Sequence, residues 1–359
     1  MKKRILAVLM VAVVATCMAA CGSSDSGKTN SSASNAETSQ AEKPDKVYEW
    51  SLGSMYNDPE AVPDFNGFGW GIKKFCDLVN EKTNGQVVIT PYWSGVLGGD
   101  VELFDMVRNG ELDVYYGSPM SNVDSRFAIS KIPYLFKDFD QVKEMYASEG
   151  APLFDIMHDV VSDYNCELLS VGTGTFRGFI NSKKEVHHVS DIKDLTVRSY
   201  EDYIVNAFWS KICNATIMPY SECYTGFQTK AIDGGEFAET IVIQAKFYEV
   251  CKNFTDLDWQ WVGHMTMVSE DKWNELPDEL KEIVNECAWE AMAYEYEIEE
   301  QDRAKAYQAM EDNGMTVVRL TDEERQEWMD YARTQDNTIK DEIGEDVFNN
   351  VMQLAEETR

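Results

Sequence analysis

From residue 47 onward, apolar positions switch repeatedly between a spacing of two and a spacing of three to four. That pattern predicts strands and helices in alternation. Residues 47–53 and 86–92 alternate as strands. Between them, 68–80 carries its apolar residues at helical spacing and stops at Thr83-Asn84-Gly85, a helix-terminating sequence. Residues 100–109 read as a helix closed by Gly110, and 112–116 as the next strand. Further strand candidates are 168–171, 176–181, 196–198 and 215–218, with helices between them. This order predicts an α/β fold.

One helix is longer than the rest. After Pro277, Leu280, Ile283, Val284, Cys287, Ala288 and Ala291 recur on one face, and the pattern runs on to Met310 before Asn313-Gly314. Its length would be about 50 Å at the ordinary rise per residue, enough to brace two lobes. Glu295, Glu297, Glu299 and Glu300 read as its solvated face. Thr321 and Glu324 form a capping box that opens a further helix.

The first residues follow another pattern. Lys2, Lys3 and Arg4 precede an apolar run over 5–14, and small residues lead to Cys21. That is a secretory signal, too short in its apolar part to span a bilayer. Residues 22–46 hold almost nothing to bury and read as a solvated tether. Met18-Ala19-Ala20-Cys21 resembles a bacterial lipobox, which implies cleavage before Cys21 and lipidation of its thiol. A plain secretory signal with an incidental cysteine is the alternative. The expected organisation is therefore a signal over 1–20 and a lipidated, disordered tether over 21–46. The protein would then be extracytoplasmic and held at the cell membrane by lipid.

Charge narrows the function. Sixty-three acidic against 32 basic residues give a net charge of −31, and losing Lys2, Lys3 and Arg4 with the signal makes it more negative. Such a field repels nucleic acid and anionic membrane surfaces. An anionic ligand would bind only where arginine or lysine locally overrides it. Six cysteines follow Cys21, without metal-type pair spacing. Cys76, Cys251 and Cys287 fall among apolar helical residues and read as buried thiols; Cys213 and Cys223 are the best candidates for a bridge. Gly172, Gly174 and Gly178 do not match a dinucleotide loop. Ser221 lacks the glycine-flanked elbow of a hydrolase nucleophile. No acid, base and nucleophile assemble, so the chain does not read as an enzyme. His187-His188 reads as a solvated pair, His264 as structural, and Trp259 and Trp261 as core.

Several stretches carry a family resemblance: Val79-Asn80-Glu81-Lys82-Thr83-Asn84-Gly85, Gly95-Val96-Leu97-Gly98, Gly110-Glu111-Leu112-Asp113, Ile132-Pro133-Tyr134-Leu135-Phe136, and Asp191-Ile192-Lys193-Asp194-Leu195-Thr196-Val197-Arg198. Met218-Pro219-Tyr220-Ser221-Glu222-Cys223-Tyr224 is the most specific, followed by Phe227-Gln228-Thr229, Asp233-Gly234 and Trp273-Asn274-Glu275-Leu276-Pro277. In order and spacing the chain resembles the extracytoplasmic solute receptors of tripartite ATP-independent periplasmic (TRAP) transporters, the C4-dicarboxylate-binding protein family, over nearly all of 47–359. The resemblance implies a two-lobe, periplasmic-binding-protein-like α/β fold with crossing strands and a long helix spanning both lobes. One lobe would take 47–174 and about 263–303, the other 175–262 and about 304–359. A small organic anion would bind between them and be delivered to a membrane permease driven by an ion gradient.

The candidate ligand residues follow from chemistry and from the resemblance together. Arg198 ends a strand, and its guanidinium is a rigid fork that matches a carboxylate. The resemblance implies that it grips the ligand; pairing with one of the many acids is the plainer alternative. The resemblance implies a second ligand contact at Arg177; a surface arginine at a strand end is the plainer alternative. At Glu236-Phe237 the chain departs from the family version that has Glu-Asn. Glu236 would either coordinate a cation beside the ligand or accept from a ligand hydroxyl, while Phe237 and Tyr220 would supply an aromatic wall. Tyr56, Asn57, Trp70 and Ser118 lie in or near loops expected to face the cleft. No other cofactor is expected. Rival readings are a binding lipoprotein of an ATP-driven importer, a solute sensor or adhesin, and an extracellular hydrolase.

Overall fold

The computed structural model describes residues 46–200 and 202–358. The expected signal, Cys21 and nearly all of the expected tether lie outside the described residues. No described helix is long and apolar enough to cross a membrane.

Eleven strands form two sheets among the described residues. They are β1 (Tyr48–Ser54), β2 (Val87–Tyr92), β3 (Val114–Gly117), β4 (Cys166–Phe176), β5 (Gly178–Asn181), β6 (Thr196–Ser199), β7 (Asn214–Ile217), β8 (Gly234–Phe237), β9 (Asn253–Asp256), β10 (Trp261–Ser269) and β11 (Thr316–Arg319). The first sheet has the order β2-β1-β3-β10-β4, the second β11-β9-β5-β8-β6-β7. β1 is parallel to both its neighbours, whereas β10 is antiparallel to β3 and to β4. In the second sheet β5 runs antiparallel to β8 and β9, and β6 is parallel to β7 and β8.

Successive side chains of the central strands enter different cores, as pleating requires. Tyr115 enters one core of the first sheet with Leu168, Met265 and Met267; Tyr116 enters the other with Trp50, Leu52 and Val268. Phe179 and Ile180 divide the second sheet in the same way. The helix Gly67–Lys82 covers the first sheet, and its chain reverses at Asn84 and Gly85, both with positive φ. Thr321 caps the helix Asp322–Arg333 as expected: its hydroxyl accepts from the Glu324 amide at 3.2 Å.

The long helix spans Asp278–Asp312. Leu280, Val284, Cys287 and Ala291 join a core of the first sheet, and Met310 joins one of the second. The structure corrects the reading of its glutamates. Glu297 and Glu300 are exposed, but Glu295 and Glu299 are buried. One helical turn apart, they face Gly67 and Gly71, which share the same spacing on the neighbouring helix. A Cβ on Gly71 would lie 1.8 Å from Glu295 Oε2, and one on Gly67 2.3 Å from Glu299 Oε1. The glycines therefore provide the room for the carboxyl groups. Tyr116 donates to Glu295. Burial, with Glu295 and Asp302 alongside, pushes the Glu299 carboxyl well above the usual range.

Two further expectations change. The helices Asp336–Ile343 and Glu345–Glu357 pack on the first core through Ile339, Ile343, Phe348, Val351 and Ala355. The expected second lobe had included them, because helical periodicity marks an apolar face without saying which sheet it covers. Cys213 and Cys223 are both free; their thiols donate instead to the carbonyls of Trp209 and Pro219.

Candidate functional site

The chain passes between the sheets twice side by side, where β4 runs into β5 and where β9 leads to β10. The two crossings are hydrogen-bonded to each other: the Arg177 amide donates to Gln260 O at 3.0 Å, and the Trp259 amide donates to Arg177 O at 3.3 Å. Arg177 is the residue between β4 and β5, so its side chain leaves the chain where the sheets meet.

Arg198 lies on β6, paired with Gly235 of β8, and is buried. Its Nε donates to Met218 O at 3.0 Å, which fixes one edge of the guanidinium. Its Cζ lies 5.0 Å from the Tyr200 ring centroid and 5.3 Å from that of Phe237, contacts that favour a cation. The residue after Gly235 is Glu236. Its Oε1 is 3.6 Å from Arg198 Nη1 and its Oε2 is 3.6 Å from Arg177 Nε. These are ion pairs too long to be hydrogen bonds. Glu236 is fully buried, and neither of its oxygens has a hydrogen-bond partner among the described residues; the same holds for Arg177 Nε and the Tyr200 hydroxyl.

The electrostatics follow from this packing. Burial pushes the Glu236 carboxyl up, and Arg177 and Arg198 pull against it. Burial also works against the Arg177 charge, but Glu236 and the hydroxyls of Tyr200, Tyr56 and Tyr220 outweigh it and hold Arg177 protonated. Burial, with Asp202 and Glu236 nearby, keeps the Tyr200 hydroxyl neutral.

The structure brings together Arg177, Arg198, Glu236, Phe237 and Tyr220. Phe237 is buried and meets Phe247 edge to face, with ring centroids 4.8 Å apart, while Tyr220, its ring 6.4 Å from that of Phe237, is 47% exposed. Tyr56 reaches the Arg177 field from the first sheet. Its hydroxyl is hydrogen-bonded to His264 Nε2, and its ring lies 4.6 Å from Phe68. The other loop candidates have local partners instead. Asn57 Oδ1 accepts from Ser94, Trp70 Nε1 donates to Pro63 O, and the Ser118 carbonyl accepts from Tyr115.

Three groups near the crossing escaped the sequence reading. Lys131 and Asp202 form a pair at 3.0 Å with both side chains buried; Lys131 also donates to Pro119 O and Ser121 to Asp202. Asp202 caps the helix Tyr203–Ser210 through the Val205 amide, a capping signal that the sequence does carry. Arg303 of the long helix binds Glu239 at 2.9 Å, Asp256 at 3.2 Å and Asp258 at 2.5 Å. Glu239, Asp256 and Asp258 lie close enough together to hold a metal ion, but here the Arg303 guanidinium supplies the positive charge. His187 and His188 pair with Glu324 and Glu327 on the surface.

Comparison with known proteins places this architecture. Residues 62–339 match the family model described as bacterial extracellular solute-binding protein, family 7. The chain is 26% identical over 272 residues to the C4-dicarboxylate-binding protein DctB of Bacillus subtilis, covering 73% of this chain and 75% of that one. It is 25% identical over 274 residues to the 2,3-diketo-L-gulonate-binding periplasmic protein YiaO of Escherichia coli, covering 75% and 82%. A TRAP periplasmic solute binding protein of Ochrobactrum anthropi superposes with a TM-score of 0.79 at 25% identity, over 88% of this chain and 96% of that one. A sugar acid binding protein of Advenella mimigardefordensis, solved with galactonate, shares the fold at a TM-score of 0.78 and 20% identity, over 88% and 99%. The family match spans both sheets and the crossing segments that carry Arg177 and Arg198: the chain belongs to the bacterial extracellular solute-binding proteins of family 7.

Proposed function

We propose that this protein binds a small organic acid outside the cytoplasm and delivers it to a TRAP permease. The observation that carries the reading is the convergence of Arg177 and Arg198 on one buried carboxylate, Glu236, in a chain whose net charge is −31. Only a local excess of fixed positive charge lets an anion bind in such a field. Arg198, held at its Nε by Met218, keeps its outer nitrogens for the ligand carboxylate, and Arg177 reaches the same place from the crossing strand. Tyr220 and Phe237 wall the site, and Tyr56 contributes from the first sheet. Binding residues on both sheets favour a closed state once ligand bridges them. The named ligands of the relatives, dicarboxylate and keto-sugar acid, are consistent with this class.

The protein acts as a receptor, so ligand should be recovered unchanged. Cys21 carries lipid, and 22–46 tethers the folded part to the membrane; support comes from Met18-Ala19-Ala20-Cys21 and the polar stretch after it. A resident cation at Glu236 does not fit the residues around it, since each carboxylate oxygen already faces a guanidinium at 3.6 Å. Mass spectrometry of ligand released from natively purified protein, followed by calorimetry with wild type and Arg198→Ala, tests the reading. Recovery of no organic acid, together with equal binding by the two proteins, would overturn it.

A further inference from the structure

Resting on that reading, we propose that Lys131 and Asp202 form the contact that holds the two sheets closed over a bound acid, and that they act as positioning residues for its capture.

The pair stands where the two sheets approach each other. β3 of the first sheet and β6 of the second each run parallel to a neighbour, and ligands of such sheets bind beyond the carboxyl ends of the strands. Pro119 and Ser121 follow the end of β3, and Tyr200 and Asp202 follow the end of β6, just past Arg198. Lys131 ends the short helix Ser125–Lys131, whose Phe127, Ala128 and Ile129 belong to a first-sheet core. Asp202 opens the helix Tyr203–Ser210. Val205, Phe208 and Trp209 of that helix belong to a second-sheet core, while Ile204 reaches into the first. The pair therefore ties one sheet to the other, with both side chains 1% exposed. Asp202 is close enough to act on Glu236 and on the Tyr200 hydroxyl, and its amide donates to Tyr200 O at 2.7 Å. The Tyr200 ring in turn lies against the Arg198 guanidinium. Fixing Asp202 fixes the strand end that presents Arg198.

An ion pair in water contributes little, and burying one costs free energy unless its remaining hydrogen bonds are met. Here they are met with both loops in place. Asp202 Oδ2 accepts from Lys131 Nζ at 3.0 Å and from Ser121 Oγ at 2.8 Å, and Oδ1 accepts from the Val205 amide at 3.1 Å. Lys131 Nζ also donates to Pro119 O at 2.6 Å. Burial works against the Asp202 charge, but Lys131, with the Val205 amide and Ser121, outweighs it and holds the carboxyl below its usual range. Parting the sheets would hydrate both groups, whereas partial closure would leave them dry and unpaired. The contact thus favours full closure over intermediate arrangements, and an acid held by Arg177 and Arg198 shifts the balance toward it.

Calorimetry and stopped-flow kinetics on the intact protein test this. The probes are succinate and the organic acid that mass spectrometry recovers from natively purified protein. Lys131→Met keeps the side-chain length and drops the charge; Asp202→Asn keeps an acceptor for the Val205 amide. Each should weaken binding about 30-fold or more, mainly through faster release. The double variant has no charge left to bury and should recover about tenfold of that loss. Ligand-free melting temperatures should stay within about 3 °C of wild type, because both groups are hydrated in the open state. Wild-type affinity in either single variant, or a double variant no better than the singles, would overturn the proposal. So would a larger fall in the ligand-free melting temperature or a failure to fold, since the pair would then belong to the open state as well. If these variants bind like wild type while Arg198→Ala does not bind, the receptor reading survives and only the closing contact is wrong. If wild type binds neither probe, the receptor reading fails and the proposal with it.

Discussion

Arg177 and Gln260 are joined backbone to backbone, the Arg177 amide donating to the Gln260 carbonyl at 3.0 Å. Through this bond, the arginine facing Glu236 sits on one crossing segment and is locked to the other. Gln260 in turn donates through its side chain to the Lys131 carbonyl at 2.8 Å. Two residues before Gln260, Asp258 binds Arg303 of the long helix. A ligand that pulls on Arg177 therefore pulls on the segments about which the sheets would rotate. Affinity and closure should be coupled through these contacts.

Arg198→Lys should separate charge from shape. Lysine keeps the positive charge but loses the planar fork, and its tetrahedral ammonium cannot bond Met218 O while presenting two parallel, coplanar donors to a carboxylate. Arg198→Ala should cost about 2–5 kcal/mol of binding, and Arg198→Lys most of that. Calorimetry with the identified ligand measures both. Affinity of Arg198→Ala within a factor of about three of wild type would mean that the carboxylate binds elsewhere.

Stability should depend on Asp258. Burial pushes its carboxyl up to about 7 against the pull of Arg303. Since the value is raised on folding, the folded state holds a proton that the unfolded chain releases. The contribution is full below the ordinary aspartate range and is lost as pH rises toward 7. Asp258→Asn should flatten the fall in melting temperature between about pH 4 and pH 7 relative to wild type. Parallel melting curves for the two proteins across that range would contradict it.

Gly71→Ala should destabilise, although alanine is the better helix former by about 1 kcal/mol. The added methyl would lie 1.8 Å from Glu295 Oε2. An overpacking cost of about 1–3 kcal/mol is expected, and the double variant with Glu295→Ala should recover part of it. Denaturant titration checks both. A more stable Gly71→Ala would show that the helices separate easily.

Removing divalent cations with a chelator and exchanging sodium for potassium should leave ligand affinity unchanged, because Glu236 already has two guanidiniums. A loss of binding that returns with one ion would place that ion at the site and revise its charge balance.

Cys21→Ser should move the protein from the membrane fraction to the soluble fraction without altering binding. Fractionation and intact mass measurement are the readouts. Unchanged membrane association would refute lipid anchoring.

Much of the fold was legible in the sequence, because strand and helix periods are local. The helix Asp278–Asp312 and the capping box at Thr321 and Glu324 lie where the pattern puts them. Arg198 was legible through its strand and the motif around it. β10 was not, since its nine residues are all buried and so show no alternation. Glu295 and Glu299 look like surface residues until Gly67 and Gly71 stand opposite them.

The sequence alone determined the alternation of elements, the long helix, the negative field and the residue types able to override it. Each follows from the order of neighbouring side chains or from a sum over the chain. Only the tertiary structure decided that Arg177 and Arg198 share Glu236, that Lys131 meets Asp202, and that Arg303 fills a cluster of three acids. Such pairings join segments far apart in the chain, and a buried charge shows its partner only once the chain has folded around both.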